Sequence, residues 1–369
     1  MNGFPAVDPI PLPAPVWLFK TLHIVTLSLH FVAMQMLVGG LLIAVLLNLL
    51  CKGDSARTAA AVIGRRLTVV MTYVINLGVP PLLFTQVLYG RAIYTSSVMI
   101  GVRWILVIPA LTLAYWLLYR FAAGLEEGRK VWATGLAAWL VIGSIAHVYA
   151  TNMTLMLRPE VWQQMYSASS IGAHLPPTDP TTIPRFLFML LSGFVAAGMW
   201  MIYLGGRRTL SAADGKYLSA LGGRIAAIAV LAQAAEALAV YRLQPAVVQA
   251  GLQAHPLYKF AGLGWLALTA VLFLFAVMAA FVKPVSAISS WAAVLIGVLP
   301  VALMTLYRDG IRDLTLLSKG YDVWQRTVVT NWSVVGIFLA VFVGGLITIG
   351  WLISVVARAN RVMESAVEL

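Results

Sequence analysis

The feature that most constrains this chain is a succession of long apolar runs. Stretches of at least 18 residues, enough to cross a hydrocarbon core of ~30 Å as helix, fall at about 17–50, 67–90, 101–121, 132–155, 182–205, 222–244, 261–282, 286–307 and 331–357. Backbone polar groups have no water to bond inside lipid, so each run is predicted to be a helix. The expected fold is an all-α integral membrane protein, a bundle of about nine transmembrane helices, with the shortest connections leaving eight as the alternative count. Residues 1–369 then form one polytopic membrane domain; the composition, 61% hydrophobic and 10% charged, leaves no stretch for a separate soluble domain.

Ahead of the first run, MNGFPAVDPIPLPAPVW carries five prolines and no basic segment, so residues 1–16 read as an extended lead-in rather than a cleavable signal. The densest basic clusters follow alternate runs: Lys52, Arg57, Arg65 and Arg66; Arg120, Arg129 and Lys130; Arg207, Arg208, Lys216 and Arg224; then Lys283, with Arg358 and Arg361 in the tail. By the positive-inside rule this face is cytoplasmic and the N-terminus lies outside, the arrangement of a multi-pass protein of a bacterial inner membrane. The net charge of +12 is accounted for by these loop charges, so nucleic acid is not an expected partner; the lipid bilayer is. A single cysteine, Cys51, excludes a disulfide framework, an iron–sulfur ligand set and covalent haem attachment. The longest outer connections are 156–181 and 308–330. No internal repeat of the transporter kind is present, which argues against a carrier.

Ionisable and amide side chains inside a span are costly and point to function. They are His23, His30, Gln35, Gln86, His147, Gln233 and Glu236. His23 and His30 are seven residues apart and share a face of the first helix, and neutral imidazole is a common haem ligand. His147, in a helix running the other way, reaches a depth similar to His23, so the two form a candidate bis-histidine pair for haem b. The plain alternative is hydrogen bonding between helices. Glu236 is the clearest carboxylate within a run, suited to taking a proton from quinol or to pairing with Arg242.

At residues 29–50, LHFVAMQMLVGGLLIAVLLNLL, the chain resembles the first helix of subunit I of the cytochrome bd quinol oxidases, and His30 falls on that family's axial haem ligand. The resemblance continues through the segment from Ile63 to the outer end of the second run, through LVIGSIAHVYATNMTLMLRP and PRFLFMLLSGFVAAGMWMI, and into QAHPLYKFAGLGW, where Lys259 falls on the lysine of the quinol-binding loop. Family carboxylates and a histidine are replaced by Gln86, Phe188 and Gly264, another by a residue near Thr305, and a conserved signature by Tyr307-Arg308-Asp309-Gly310-Ile311. The resemblance therefore implies a haem b-bearing membrane subunit without the usual oxygen chemistry. Such a subunit passes electrons between quinol or quinone and a periplasmic partner, a multihaem cytochrome c or an iron–sulfur subunit, within a complex holding other membrane subunits. The expected site residues are His30, His23 and His147 at haem iron, Gln86 beside it, Arg308 and Arg312 on propionates, and Glu236 and Lys259 on quinol and its protons. The alternatives are a divergent bd-type quinol:oxygen oxidoreductase, a haem-free membrane anchor of a peripheral complex, and, motivated by Glu236 alone, a proton-coupled carrier.

Overall fold

A computed structural model describes residues 3–6, 10–207, 209–281 and 287–367, the backbone alone at 287, 288, 349, 352, 353 and 356–367. Arg208 and Lys283, read above as inner-face bases, lie outside the described residues, as do the side chains of Arg358 and Arg361. The long helices are α1 (Val16–Leu50), α2 (Asp54–Met99), α3 (Gly101–Glu126), α4 (Trp132–Leu155), α6 (Thr182–Gly205), α7 (Ala212–Arg242), α9 (Pro256–Phe281), α10 (Ala287–Ser318) and α11 (Trp332–Val367), with short α5 (Trp162–Ala168) and α8 (Ala246–Ala254) in connections. Among the described residues no strand forms beyond an isolated bridge. Among the described residues eight of these helices are long and apolar enough to span a bilayer, and α11 carries a further apolar stretch over Trp332–Thr348. The chain is thus an all-α, multi-pass membrane protein.

Packing follows small residues. A Cβ at Gly39 would lie 2.0 Å from the Gly193 carbonyl oxygen, so α1 and α6 touch backbone to backbone. In lipid, where apolar surface gains little by leaving its surroundings, such close approach is a main source of helix association. α1 is the most enclosed span, lying against α2, α4, α6 and α10. At the other extreme, α11 is peripheral and reaches α2 through Phe338, whose ring is 6.5 Å from that of Phe84.

Four helices exceed their apolar runs: α7 begins at Ala212, α11 ends at Val367, and α2 and α10 overrun in ways that bear on the site. α2 extends beyond 67–90 at both ends and leaves helical geometry at Tyr89 (φ −124°, ψ 28°), a few residues past Pro80 and Pro81. α10 continues past Tyr307 to Ser318, so residues 308–318 are helical and largely buried rather than part of an outer loop. Hydropathy stops at RDGIRD because those charges look solvated, whereas the fold pairs Asp309, Arg312 and Asp313 internally.

The lead-in closes over this end. Leu12 N–H donates to the Thr327 carbonyl (2.8 Å), the Val329 N–H donates back to Leu12 (2.9 Å), and Asn331 N–H donates to Pro13 (3.0 Å). Phe4 packs on Trp162 and Tyr321 at 5.5 and 5.3 Å between ring centres.

Candidate functional site

The histidines of α1 face α2, which runs antiparallel to it. The Nδ1–H of His30 donates to the Val74 carbonyl (2.9 Å) and that of His23 to the Pro81 carbonyl (3.1 Å). Two donors seven residues apart thus meet two acceptors seven residues apart, two turns on each helix. A carbonyl only accepts, so both rings carry a proton on Nδ1, and in the neutral imidazole Nε2 is then a lone pair. The rings differ at that second nitrogen. His23 Nε2 accepts from the Arg312 guanidinium at 3.0 Å, while His30 Nε2 has no partner among the described residues. Gly78 leaves the space for the His30 ring: a Cβ there would lie 2.9 Å from its Cε1.

Beyond Arg312 lies a closed set of charges. Lys20, in the second turn of α1, places its ammonium 2.7 Å from the Tyr89 hydroxyl, 2.6 Å from an Asp309 oxygen and 2.5 Å from an Asp313 oxygen. Three N–H groups therefore meet three acceptors. Tyr89 donates to Asp313 (2.7 Å), with Asp309 at 3.2 Å, and the Arg312 guanidinium stands 3.5 Å from Asp309 and 4.9 Å above the Tyr89 ring. The four charged side chains are between 5% and 8% exposed, and two positive charges face two negative ones. Asp309 and Asp313 share a face of α10 at the i, i+4 spacing, and the departure from helix at Tyr89 accompanies the entry of its phenol into the set.

The remaining predicted residues are dispersed. His147 is exposed on α4 and meets Phe186 edge-on at 6.0 Å; no hydrogen bond or ring contact joins it to His23. His23 Nε2 is held by Arg312, so the expected His23–His147 haem pair would first displace that one hydrogen bond, the Nδ1–H bond to Pro81 being compatible with ligation. Arg312 is likewise engaged, by Asp309 and His23, rather than free for a propionate. Arg308 carries no carboxylate among the described residues and lies with its guanidinium 5.5 Å over the Phe31 ring. Gln86 and Glu236 are half-buried and Lys259 is exposed, none with a side-chain hydrogen bond or ion pair among the described residues. Lys20, Tyr89, Asp309 and Asp313 were not signalled as a site by hydropathy. The clue that did exist was the repeat of Arg-Asp at 308–309 and 312–313, which puts like residues on one helix face.

For haem, the donor chemistry fits at one position. A metal-binding imidazole usually donates its other N–H to a carbonyl, which fixes tautomer and ring angle, and His30 has that arrangement. His23 Nε2 is taken up by Arg312, and two clefts among the described residues, one beside Gln35 and one beside Cys51, are not lined by a histidine. Compared with known proteins, the chain matches no family model and no curated relative.

Proposed function

We propose that this chain is a membrane subunit of an electron-transfer complex, similar in architecture to subunit I of the cytochrome bd oxidases, that binds haem b through His30. It would pass electrons between membrane quinol and a redox partner at the lead-in end, the outer face of a bacterial inner membrane. The observation that carries this reading is the unequal pair of histidines: His23 is consumed by Pro81 and Arg312, whereas His30 is oriented by Val74 with Nε2 left free. Haem held there supplies one-electron chemistry. Arg308, without a carboxylate partner among the described residues, suits a propionate, and Glu236, half-buried and unpaired, suits a quinol proton.

The test is the reduced-minus-oxidised absorbance spectrum of the purified chain. Wild type and His147→Ala are expected to show haem b bands, and His30→Ala to lose them; unchanged bands in His30→Ala overturn the assignment. A second reading, a haem-free anchor for a peripheral complex, is favoured by the saturation of both His23 nitrogens by Pro81 and Arg312. Wild type with no Soret absorbance selects it.

A further inference from the structure

Two arginines at the lead-in end of the bundle stand beside the closed charge set without belonging to it. Arg308 makes no hydrogen bond or ion pair among the described residues; its guanidinium lies 5.5 Å over the Phe31 ring, which leaves its N–H groups unused. Arg185, in the first turn of α6, donates one N–H to the Gln244 side-chain oxygen at 3.3 Å. Asp179, the carboxylate that attracts it, is already held by the Thr181 N–H at 2.8 Å and by Arg158 at 3.6 Å. Packing brings the two arginines to one place. Phe188, one turn after Arg185, and Met304, one turn before Arg308, meet in a single apolar cluster with Phe31 and Trp265. Both arginines lie on the lead-in side of that cluster, close enough for Arg185 to repel Arg308 and for Arg312 to repel each of them. The charges here do not balance. Lys20 and Arg312 offset Asp309 and Asp313, and Arg185 and Arg308 are left without a carboxylate at ion-pair distance among the described residues. An uncompensated cation among spanning helices is costly, so such a residue pairs or marks a ligand.

We infer that Arg185 and Arg308 form one binding site for a small oxyanion that enters from the lead-in face. The ligand is an anion because two unpaired guanidiniums face each other and each presents N–H groups that match oxyanion oxygens. It is small because neither cleft described above is lined by either arginine, and the Phe31, Phe188 and Trp265 side chains close the space below. Nitrate, sulfate and phosphate fit this description. The receptor is already organised: Gln244, 5% exposed, is itself fixed by donating to the Val240 carbonyl at 2.7 Å, and it holds Arg185 in place through one N–H only. The phosphate of a lipid headgroup shares the chemistry, and the experiment separates the two sources. The inference follows from charge and packing and does not rest on haem at His30, although a haem propionate would claim the same Arg308 N–H groups.

The experiment is calorimetric titration of the full chain in maltoside detergent with nitrate, sulfate and phosphate at constant ionic strength, with haem measured on the same sample. Wild type and His30→Ala are both expected to bind at least one of these anions saturably, at a single site per chain. Arg308→Met and Arg185→Gln are each expected to weaken that binding by roughly tenfold or more, the effect of losing a charged hydrogen bond. Melting temperatures separate a ligand site from a packing role. Without the anion Arg308→Met stays level or rises, because it removes an unpaired charge; with the anion wild type rises and the variant does not. Absence of saturable binding in both wild type and His30→Ala overturns the site and leaves the haem assignment to its own spectrum. Unchanged affinity in folded Arg308→Met and Arg185→Gln overturns it as well. Binding in His30→Ala alone gives the place to a propionate in wild type, and saturation by a short-chain phosphatidylglycerol alone gives it to lipid; either result overturns the free-anion site.

Discussion

Lys20 shows how much one side chain decides here. Its ammonium reaches Tyr89 and both aspartates at once, and replacing it with methionine leaves two carboxylates opposite a single arginine. Breaking a buried ion pair by removing one partner costs roughly 3–5 kcal/mol. Lys20→Met is expected to lose about that much in denaturant unfolding of the purified chain, and Lys20→Met with Asp309→Asn and Asp313→Asn to recover most of it. Full stability in the single variant would mean that the charges do not hold the helices. Little of this set was visible beforehand, because Lys20 and the aspartates are 289 and 293 residues apart and hydropathy treats each as a boundary marker. The histidines were visible as costly residues, but their pairing with Val74 and Pro81 was not, since a backbone acceptor leaves no trace in residue type.

At the scale of the element, the apolar runs located α1, α3, α4, α6 and α9 to within a few residues, because there the helix ends where the lipid-compatible composition ends. They fell short at α2, α7, α10 and α11, which continue as helix into polar sequence. Close backbone contact is the other element-scale rule. Gly39→Ala places a methyl carbon where the Gly193 carbonyl now sits, whereas a Cβ at Gly193 finds its nearest atom at 3.3 Å. Overpacking costs typically 1–3 kcal/mol. Gly39→Ala is therefore expected to lower the melting temperature by several degrees and Gly193→Ala by much less. Equal effects would show that α1 and α6 separate readily.

For the whole molecule, loop charge predicts the orientation, and with it the face that the capped end presents. In a Cys51→Ala background, His174→Cys is expected to react with a membrane-impermeant maleimide on intact cells, and Arg129→Cys only after permeabilisation; both positions are exposed. The opposite pattern reverses the orientation and moves the proposed partner to the cytoplasm. The cap also carries a consequence for how the chain is made. Leu12 bonds to Thr327 and Val329, and Lys20 finds its aspartates only when α10 is in place. The first helix therefore enters the membrane with an uncompensated cation and an unclosed lead-in, and keeps both until nearly all of the chain has been synthesised. Insertion of α10 is thus the event that neutralises the first helix, and quality control in the cell has a single late step on which to judge the entire bundle.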